Sequence, residues 1–518
     1  MDQIVADSSL QASQTIQPEA VVLVDRHKSL AGIARNTAFM LGGQVLIKIF
    51  SFLFSVYVVR RLGAADFGRY SSAMAYAFIF AMLTDLGTSS LSVREMARDV
   101  KNISWMVPNI MSIRATFSIL VIIITTLSAW LFGKSSDMVL GIFIASLGLL
   151  LYAFQGPLDS ALIAQERLYL SSILNLFNQI TFVILGTISL LTGLGYIGLL
   201  VSSLIGVLVM GLGSIYVVRK TLKIEFQRPS LSLWKPLLRS SLPFGIMGVV
   251  TELTRRFDVV FMSFVLTYSA VGMYNVPYNL ITMMLLLAQS LALSIYPSMV
   301  KEHSSGTGSL QDTVQRSVRY LLLLSLPMAV GGTLLADRVI LVLYGNNFAD
   351  SISVMRVLVW VLPSMFLAEI LGRASYTLQL ENKVAKIVFI NAAITLSLDL
   401  LLIPRWGIIG AACVMVLSRL ISIVQTSVVI GPVFLYKGSV RPLLRVVFAT
   451  FIMGFVIWCL RDASFLAALD AKLILFLLIF IGVGTFGLSA LLVQAISPGE
   501  ARYISDVVYR RIMNKARR

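Results

Sequence analysis

Long apolar runs recur along the whole chain, separated by short polar breaks. A membrane-crossing helix needs about 20 mainly apolar residues. Fourteen stretches meet that demand: 33–59, 71–92, 109–132, 138–163, 171–192, 196–218, 241–266, 272–297, 317–336, 352–379, 386–403, 407–431, 444–460 and 472–493. The breaks are short, so successive helices are expected to pack antiparallel, and none can hold a separate water-soluble domain. The pattern predicts an all-α polytopic membrane protein.

Composition sharpens this. Of 518 residues, 58% are hydrophobic and 13% charged, against about 45–50% and about 25% in a soluble domain. A mean hydropathy of +0.88 agrees. A net charge of +17 would point a soluble chain toward nucleic acid. In a membrane protein it reads as topology, because cytoplasmic loops collect Lys and Arg, and no nucleic acid partner is expected. With the N-terminus inside, roughly 27 basic residues fall inside, about 8 outside and about 7 within spans. The expectation is a multi-pass cell (inner or plasma) membrane protein with both termini cytoplasmic. Arg60, Arg61 and Arg69 run against it, on the outer side. Residues 1–29 carry Asp2, Asp7, Glu19 and Asp25 and no long apolar run, so a flexible cytoplasmic tail is expected rather than a signal peptide. The basic tail with Tyr503, Val507 and Ile512 has the pattern of a helix lying on anionic lipid.

The two halves resemble each other. Phe67-Gly68-Arg69-Tyr70 opens the second span and Val271-Gly272-Met273-Tyr274 the eighth; Gly195-Tyr196-Ile197-Gly198 opens the sixth and Gly407-Ile408-Ile409-Gly410 the twelfth. Both pairs have the same sense across the membrane. That implies two pseudo-symmetric six-helix lobes around a central cavity, a transporter arrangement with its site between repeats. The expected organisation is a tail (1–29), a first lobe (30–219), a basic cytoplasmic linker (220–240), a second lobe (241–431), an extra helix pair (432–493) and a basic tail (494–518).

Charges inside spans carry the candidate chemistry, since each costs a few kcal/mol or more unless it has a function or a partner. The seventh span has Glu252, Arg255, Arg256 and Asp258 at helical spacings of three and four, where partners meet. Two mid-span arginines are expected to line a watery cavity; the bland alternative is a self-neutralising network. Lys48, Arg114, Arg356, Arg373 and Arg419 are the other cations. Arg114 reads as a snorkelling residue near a span end, and Arg373 pairs on paper with Glu369. Candidate ion-coupling or charge-pairing acids are Asp85, Asp159, Glu252, Asp258, Glu369 and Asp399. Polar stripes add Gln44 and Lys48 in the first span, Tyr152, Gln155 and Asp159 in the fourth, Asn275, Tyr278, Asn279 and Thr282 in the eighth, and Asn391, Thr395 and Asp399 in the eleventh. Each stripe alone is equally a helix–helix hydrogen-bonding face. Arginine suits phosphate, because its planar fork donates paired hydrogen bonds.

Two cysteines and two histidines argue against a disulfide framework or a metal site. No Walker A or nucleophile motif stands out, so the chain is not expected to be an enzyme. It needs no cofactor, and its energy would come from H+, Na+, membrane potential or the substrate gradient.

Arg61-Leu62-Gly63, Phe67-Gly68, Tyr70, Asp85-Leu86-Gly87 and Arg94-Glu95 resemble the N-terminal signature of Wzx-type polysaccharide flippases. Gly272 with Tyr274, Tyr344-Gly345 through Phe348, and Pro404, Gly407 and Gly410-Ala411-Ala412 continue the resemblance over roughly residues 30–435. The family lies in the multidrug/oligosaccharidyl-lipid/polysaccharide exporter superfamily. The resemblance implies two six-helix lobes around a central cavity and transfer of a polyprenyl-pyrophosphate-linked oligosaccharide, an O-antigen or exopolysaccharide unit, to the outer leaflet by alternating access. Membrane lipids and a polysaccharide polymerase would be its partners. Under this reading Arg255, Arg256, Arg419 and Lys48 hold the pyrophosphate and acidic sugars, while Asn275, Tyr278, Asn279, Gln44 and Gln155 contact sugar hydroxyls. The extra helix pair is similar to that of lipid II flippases. A lipid II flippase, a multidrug or cation antiporter of the same fold, and a non-transporting scaffold remain alternatives.

Overall fold

The computed structural model describes residues 19–222, 225–305, 310–431, 440–463 and 469–495, with side chains from residue 47 onward except Val440. The basic tail after 495 and the Gln44 side chain lie outside the described residues. The described chain is helical throughout, with no strand. The helices are α1 (Glu19–Asp85), α2 (Thr88–Arg98), α3 (Asn102–Leu131), α4 (Ser136–Ala164), α5 (Leu168–Leu191), α6 (Gly195–Leu222), α7 (Trp234–Val265) and α8 (Tyr268–Ser305). They continue with α9 (Leu310–Leu334), α10 (Ala336–Tyr344), α11 (Ser351–Leu358), α12 (Val361–Thr377), α13 (Glu381–Ile430), α14 (Val440–Arg461) and α15 (Ala471–Leu492). α1 starts inside the segment expected to be a tail.

Ten helices are long and apolar enough to cross a membrane. α1 and α13 each fold into two at Gly63 and Gly407, and α11 and α12 form one broken span. With α13 counted as two, α1 adding two and α7 one, the described residues hold fourteen segments of span length. α7 is not among the ten, because four charges interrupt its middle. Large apolar side chains lie exposed on the bundle, from Trp130 and Phe451 to Phe476 and Leu492. A soluble monomer rarely shows contiguous apolar patches of that size, so this is the lipid-facing surface.

α1 packs with α3 to α6, and α8 packs with α9, α11 and α12, while α12 also packs on α13. The two groups meet where α1 packs on α7 and α8; α7 also packs on α2 and α13. α14 and α15 pair with each other and lie on α9 and α10. The repeated glycines explain the meeting point. A Cβ on Gly68 would overlap the Tyr268 carbonyl, and one on Gly272 would overlap the Ala64 carbonyl. Only glycine lets the two backbones approach this closely. The second repeated pair is equivalent in backbone too: Gly195 has φ 57° and Gly407 φ 59°, each at the turn between two spans.

The second span was expected to run unbroken to residue 92. Instead the helix breaks at Leu86 and Gly87, with φ 46° and 76°. Asp85 accepts the Ser89 N–H at 3.1 Å and hydroxyl bonds from Thr88 and Ser89. It supplies the acceptor that the first turn of α2 lacks.

Candidate functional site

α7 lines one cavity and packs against α1, which borders another. Glu252 bridges both arginines: Arg255 Nε and Nη2 donate to it at 3.0 and 2.9 Å, and Arg256 Nε lies 3.5 Å from its Oε1. That last contact is a charge contact only, and Arg256 Nε has no hydrogen-bond partner. Successive residues on a helix point 100° apart, and the two arginines use this. Arg255 lines a cavity in the second lobe. Arg256 stands over the ring of Phe78, 5.6 Å from its centroid, and Phe78 lines a cavity in the first lobe.

The second-lobe cavity is small, ≈ 70 Å³, enough for a few waters or a small ion. Arg255, Asp258, Tyr278, Asn391, Asp399 and Arg419 reach it. Asp258 does not pair with Arg255 as the spacing suggested. It accepts Tyr274 Oη–H at 2.7 Å and the Val259 N–H at 2.7 Å. Asp399 is 1% exposed, and neither of its oxygens has a hydrogen-bond partner among the described residues. Asn391 donates to Gln425 at 2.8 Å while its own Oδ1 stays unpaired. Arg419 is half-buried and forms no ion pair among the described residues.

The first-lobe cavity is larger, ≈ 740 Å³. Asp85 and Arg114 form part of its wall. Arg114 does not snorkel: it is 5% exposed, ion-paired with Asp85, and donates to Thr88 Oγ1 at 2.8 Å and Ser89 Oγ at 2.7 Å. Helix breaking at Leu86 put these acceptors opposite α3, which sequence spacing could not reveal. Gln155 and Asp159 line the same space, Gln155 buried and Asp159 accepting Ser171 Oγ–H at 2.5 Å.

Other expected residues lie elsewhere. Lys48 is exposed, with no ion pair among the described residues. Asn275 turns back on its own helix, donating to the Val271 carbonyl at 2.9 Å, and Asn279 is half-buried on α8. Glu369 does not pair with Arg373: it accepts from Gln289 at 3.4 Å, and Arg373 lies over Tyr296 at 5.7 Å.

Sequence reasoning missed the contacts that close the lobes at the Gly68 end. Lys134, in the turn between α3 and α4, donates to the Ser263 carbonyl and sits 3.9 Å from the centroid of Phe264. Burial pushes its ammonium down to about 8. Arg60 donates to the carbonyls of Leu343 and Val342 at 2.6 and 2.5 Å, at the C-terminus of α10. Both are cations on helix C-terminal carbonyls, a favourable pairing with the helix dipole. Arg69 pairs with Asp66 at 3.1 Å and lies 6.0 Å from the Tyr196 ring. The arginines that ran against the charge rule thus have structural partners.

Residues 33–303 match the family model described as "Polysaccharide biosynthesis protein". Two Haloferax volcanii proteins are similar in sequence. The probable low-salt glycan biosynthesis flippase Agl15 is 24% identical over 71% of this chain and 77% of its own length. The probable flippase AglR is 24% identical over 75% of this chain and 81% of its own length. Among solved structures, the lipid II flippase MurJ in an inward closed conformation superposes with a TM-score of 0.70, at 15% identity, over 90% of this chain and all of that one. An inward-facing multidrug resistance transporter of the MATE family gives 0.60 at 15% identity, over 74% and 95%. The fold is thus the one these transporters share, and the chain belongs to the polysaccharide biosynthesis protein family.

Proposed function

We propose that the chain is a flippase that carries a polyprenyl-pyrophosphate-linked oligosaccharide from the cytoplasmic to the outer leaflet by alternating access. The observation that carries this reading is the pair of adjacent mid-span arginines on α7, one lining the second-lobe cavity and the other over the ring of Phe78 in the first lobe, both sharing the single carboxylate of Glu252. Arg419 adds a third guanidinium beside Arg255. Two guanidinium groups on one carboxylate leave donors free, and a diphosphate is the anion whose oxygens fit them. An antiporter for hydrophobic cations needs the opposite sign there. The family and the two flippase relatives support glycan cargo. The charge bias supports a cytoplasmic position for the basic 220–240 linker and for both termini. A polymerase working on the outer surface would consume the product.

Coupling would sit in the second lobe. A buried carboxylate with no partner is neutralised by a bound proton or cation, and Asp399 beside Asp258 offers hard oxygens to H+ or Na+. The reading is tested by Arg255→Gln with Arg256→Gln, assayed for export of lipid-linked oligosaccharide at matched membrane levels. Loss of export with a folded protein is expected. Export at the wild-type rate would overturn it.

A further inference from the structure

We propose that the first-lobe cavity is a glycan subsite that takes an uncharged, hydroxyl-rich sugar unit, read by Gln155 and Asp159 and stacked on Tyr152 and Phe78. The inference rests on the flippase reading and names what the sugar end of the cargo must be.

The size fits first. At ≈ 740 Å³ the cavity lies within the range of small-molecule sites. Its polar groups come next. Gln155 is 6% exposed, lines the cavity, and its carboxamide has no hydrogen-bond partner among the described residues. That carboxamide opens into the cavity and carries both a donor and an acceptor. A sugar hydroxyl, which is also both, satisfies either end. Gln155 and Asp159 are four apart on α4, on one face and one turn apart. Asp159 uses one oxygen for Ser171, which leaves the other to accept from a second hydroxyl. Phe78 on α1 and Tyr152 on α4 supply ring faces for the apolar face of a pyranose.

The charge balance selects against acidic sugars. Arg114 is consumed by Asp85. Arg94 also lines the cavity, but it is paired with Glu95 at 2.9 Å and lies over the ring of Phe244. Asp159 forms no ion pair among the described residues, so the group one turn from Gln155 on the same face is a carboxylate without a cation. A uronic acid would meet a like charge there, whereas a neutral sugar would not. The cavity is also correctly placed. In the cargo the first sugar is bonded directly to the diphosphate, and Arg256 stands over Phe78 at the cavity's edge.

The test uses the full-length protein in nanodiscs and three probes: farnesyl diphosphate, farnesyl-diphospho-glucose and farnesyl-diphospho-glucuronic acid. Wild-type protein is expected to bind the glucose probe more tightly than bare farnesyl diphosphate, and the glucuronic acid probe about tenfold more weakly than the glucose probe. In Gln155→Leu the affinity ratio of glucose probe to bare diphosphate is expected to fall by about 3–10-fold, the worth of one neutral hydrogen bond. Asp159→Asn is expected to abolish the preference for glucose over glucuronic acid. Equal wild-type affinity for the glucose probe and bare diphosphate would overturn the subsite while leaving the flippase reading standing. An equal loss for both probes in Gln155→Leu would also overturn it. Absence of binding to all three would overturn both.

Discussion

Replacing Arg114 tests whether the first lobe is held by a buried ion pair. Its side chain is 6% exposed and that of its partner Asp85 19%. Arg114→Met strands the Asp85 carboxylate, and breaking a buried pair by removing one partner costs about 3–5 kcal/mol. Asp85 keeps three neutral donors from Thr88 and Ser89, which places the expected loss near the lower end, about 3 kcal/mol. Asp85→Asn keeps an acceptor for the Ser89 N–H and for the guanidinium but removes the charge that neutralises Arg114. The double variant removes both charges, and its cost is expected to fall short of the sum of the singles by about 1–3 kcal/mol. Equilibrium unfolding by SDS titration in mixed micelles reads these differences. Gly156→Ala supplies an independent arm, because a Cβ there would overlap Arg114 Nη1 and displace it without altering any charge. A loss under about 1 kcal/mol for Arg114→Met, with additive singles, would refute the buried-pair account and restore a snorkelling arginine.

Further outcomes follow from the same geometry. Gly272→Val is expected to abolish export and lower thermal stability, since overpacking costs about 1–3 kcal/mol and the obstacle here is the Ala64 carbonyl; an active, equally stable variant would show that the lobes do not cross there. Tyr274→Phe removes the hydroxyl donor from Asp258 and is expected to destabilise by about 1–3 kcal/mol, read by the same SDS titration. Lys134 titrates at about 8 when the lobes are closed over it, against 10.5 for a free lysine. Between those values the closed arrangement binds fewer protons, so raising the pH stabilises it against one that exposes Lys134. Spin labels at Phe132→Cys and Phe264→Cys should report a larger short-distance population at pH 10 than at pH 8, and a Lys134→Gln background should erase the response.

How much the sequence disclosed depended on whether a feature was local. Spans follow from runs of apolar residues, and α7 stood out because charges interrupt one. Glu252 meets Arg255 and Arg256 because all three share a helix, so spacing alone was enough. Every pairing that crosses between elements escaped: Arg114 with Asp85, Tyr274 with Asp258, Lys134 with Ser263. Arg373 and Glu369 had ideal spacing and still did not pair, because Tyr296 and Gln289 on α8 offered competing partners. Polar stripes failed in the same way. Asn275 satisfies itself on its own helix, whereas Gln155, indistinguishable from it in pattern, has no hydrogen-bond partner among the described residues and faces a cavity.

The repeat carries the remaining logic. Gly68 and Gly272 recur because each lobe presents the same surface to the other at a crossing where neither tolerates a side chain. Yet the two cavities are unlike. The first lobe has the larger space, with rings and an unpaired carboxamide; the second has a small one with unpaired carboxylate oxygens. On the proposed flippase reading, a duplicated scaffold with diverged interiors would divide the labour, cargo recognition in one lobe and neutralisation of Asp399 in the other. On α7, Arg255 lines the second cavity, and Arg256 stands over Phe78, which lines the first. Glu252 binds the two arginines together, so an anion that draws on one changes the field at the other. Glu252→Gln should therefore loosen the dependence of sugar-lipid binding on Na+ or pH before it abolishes binding. Retained coupling of full size in that variant would separate the two cavities and leave α7 as a partition only.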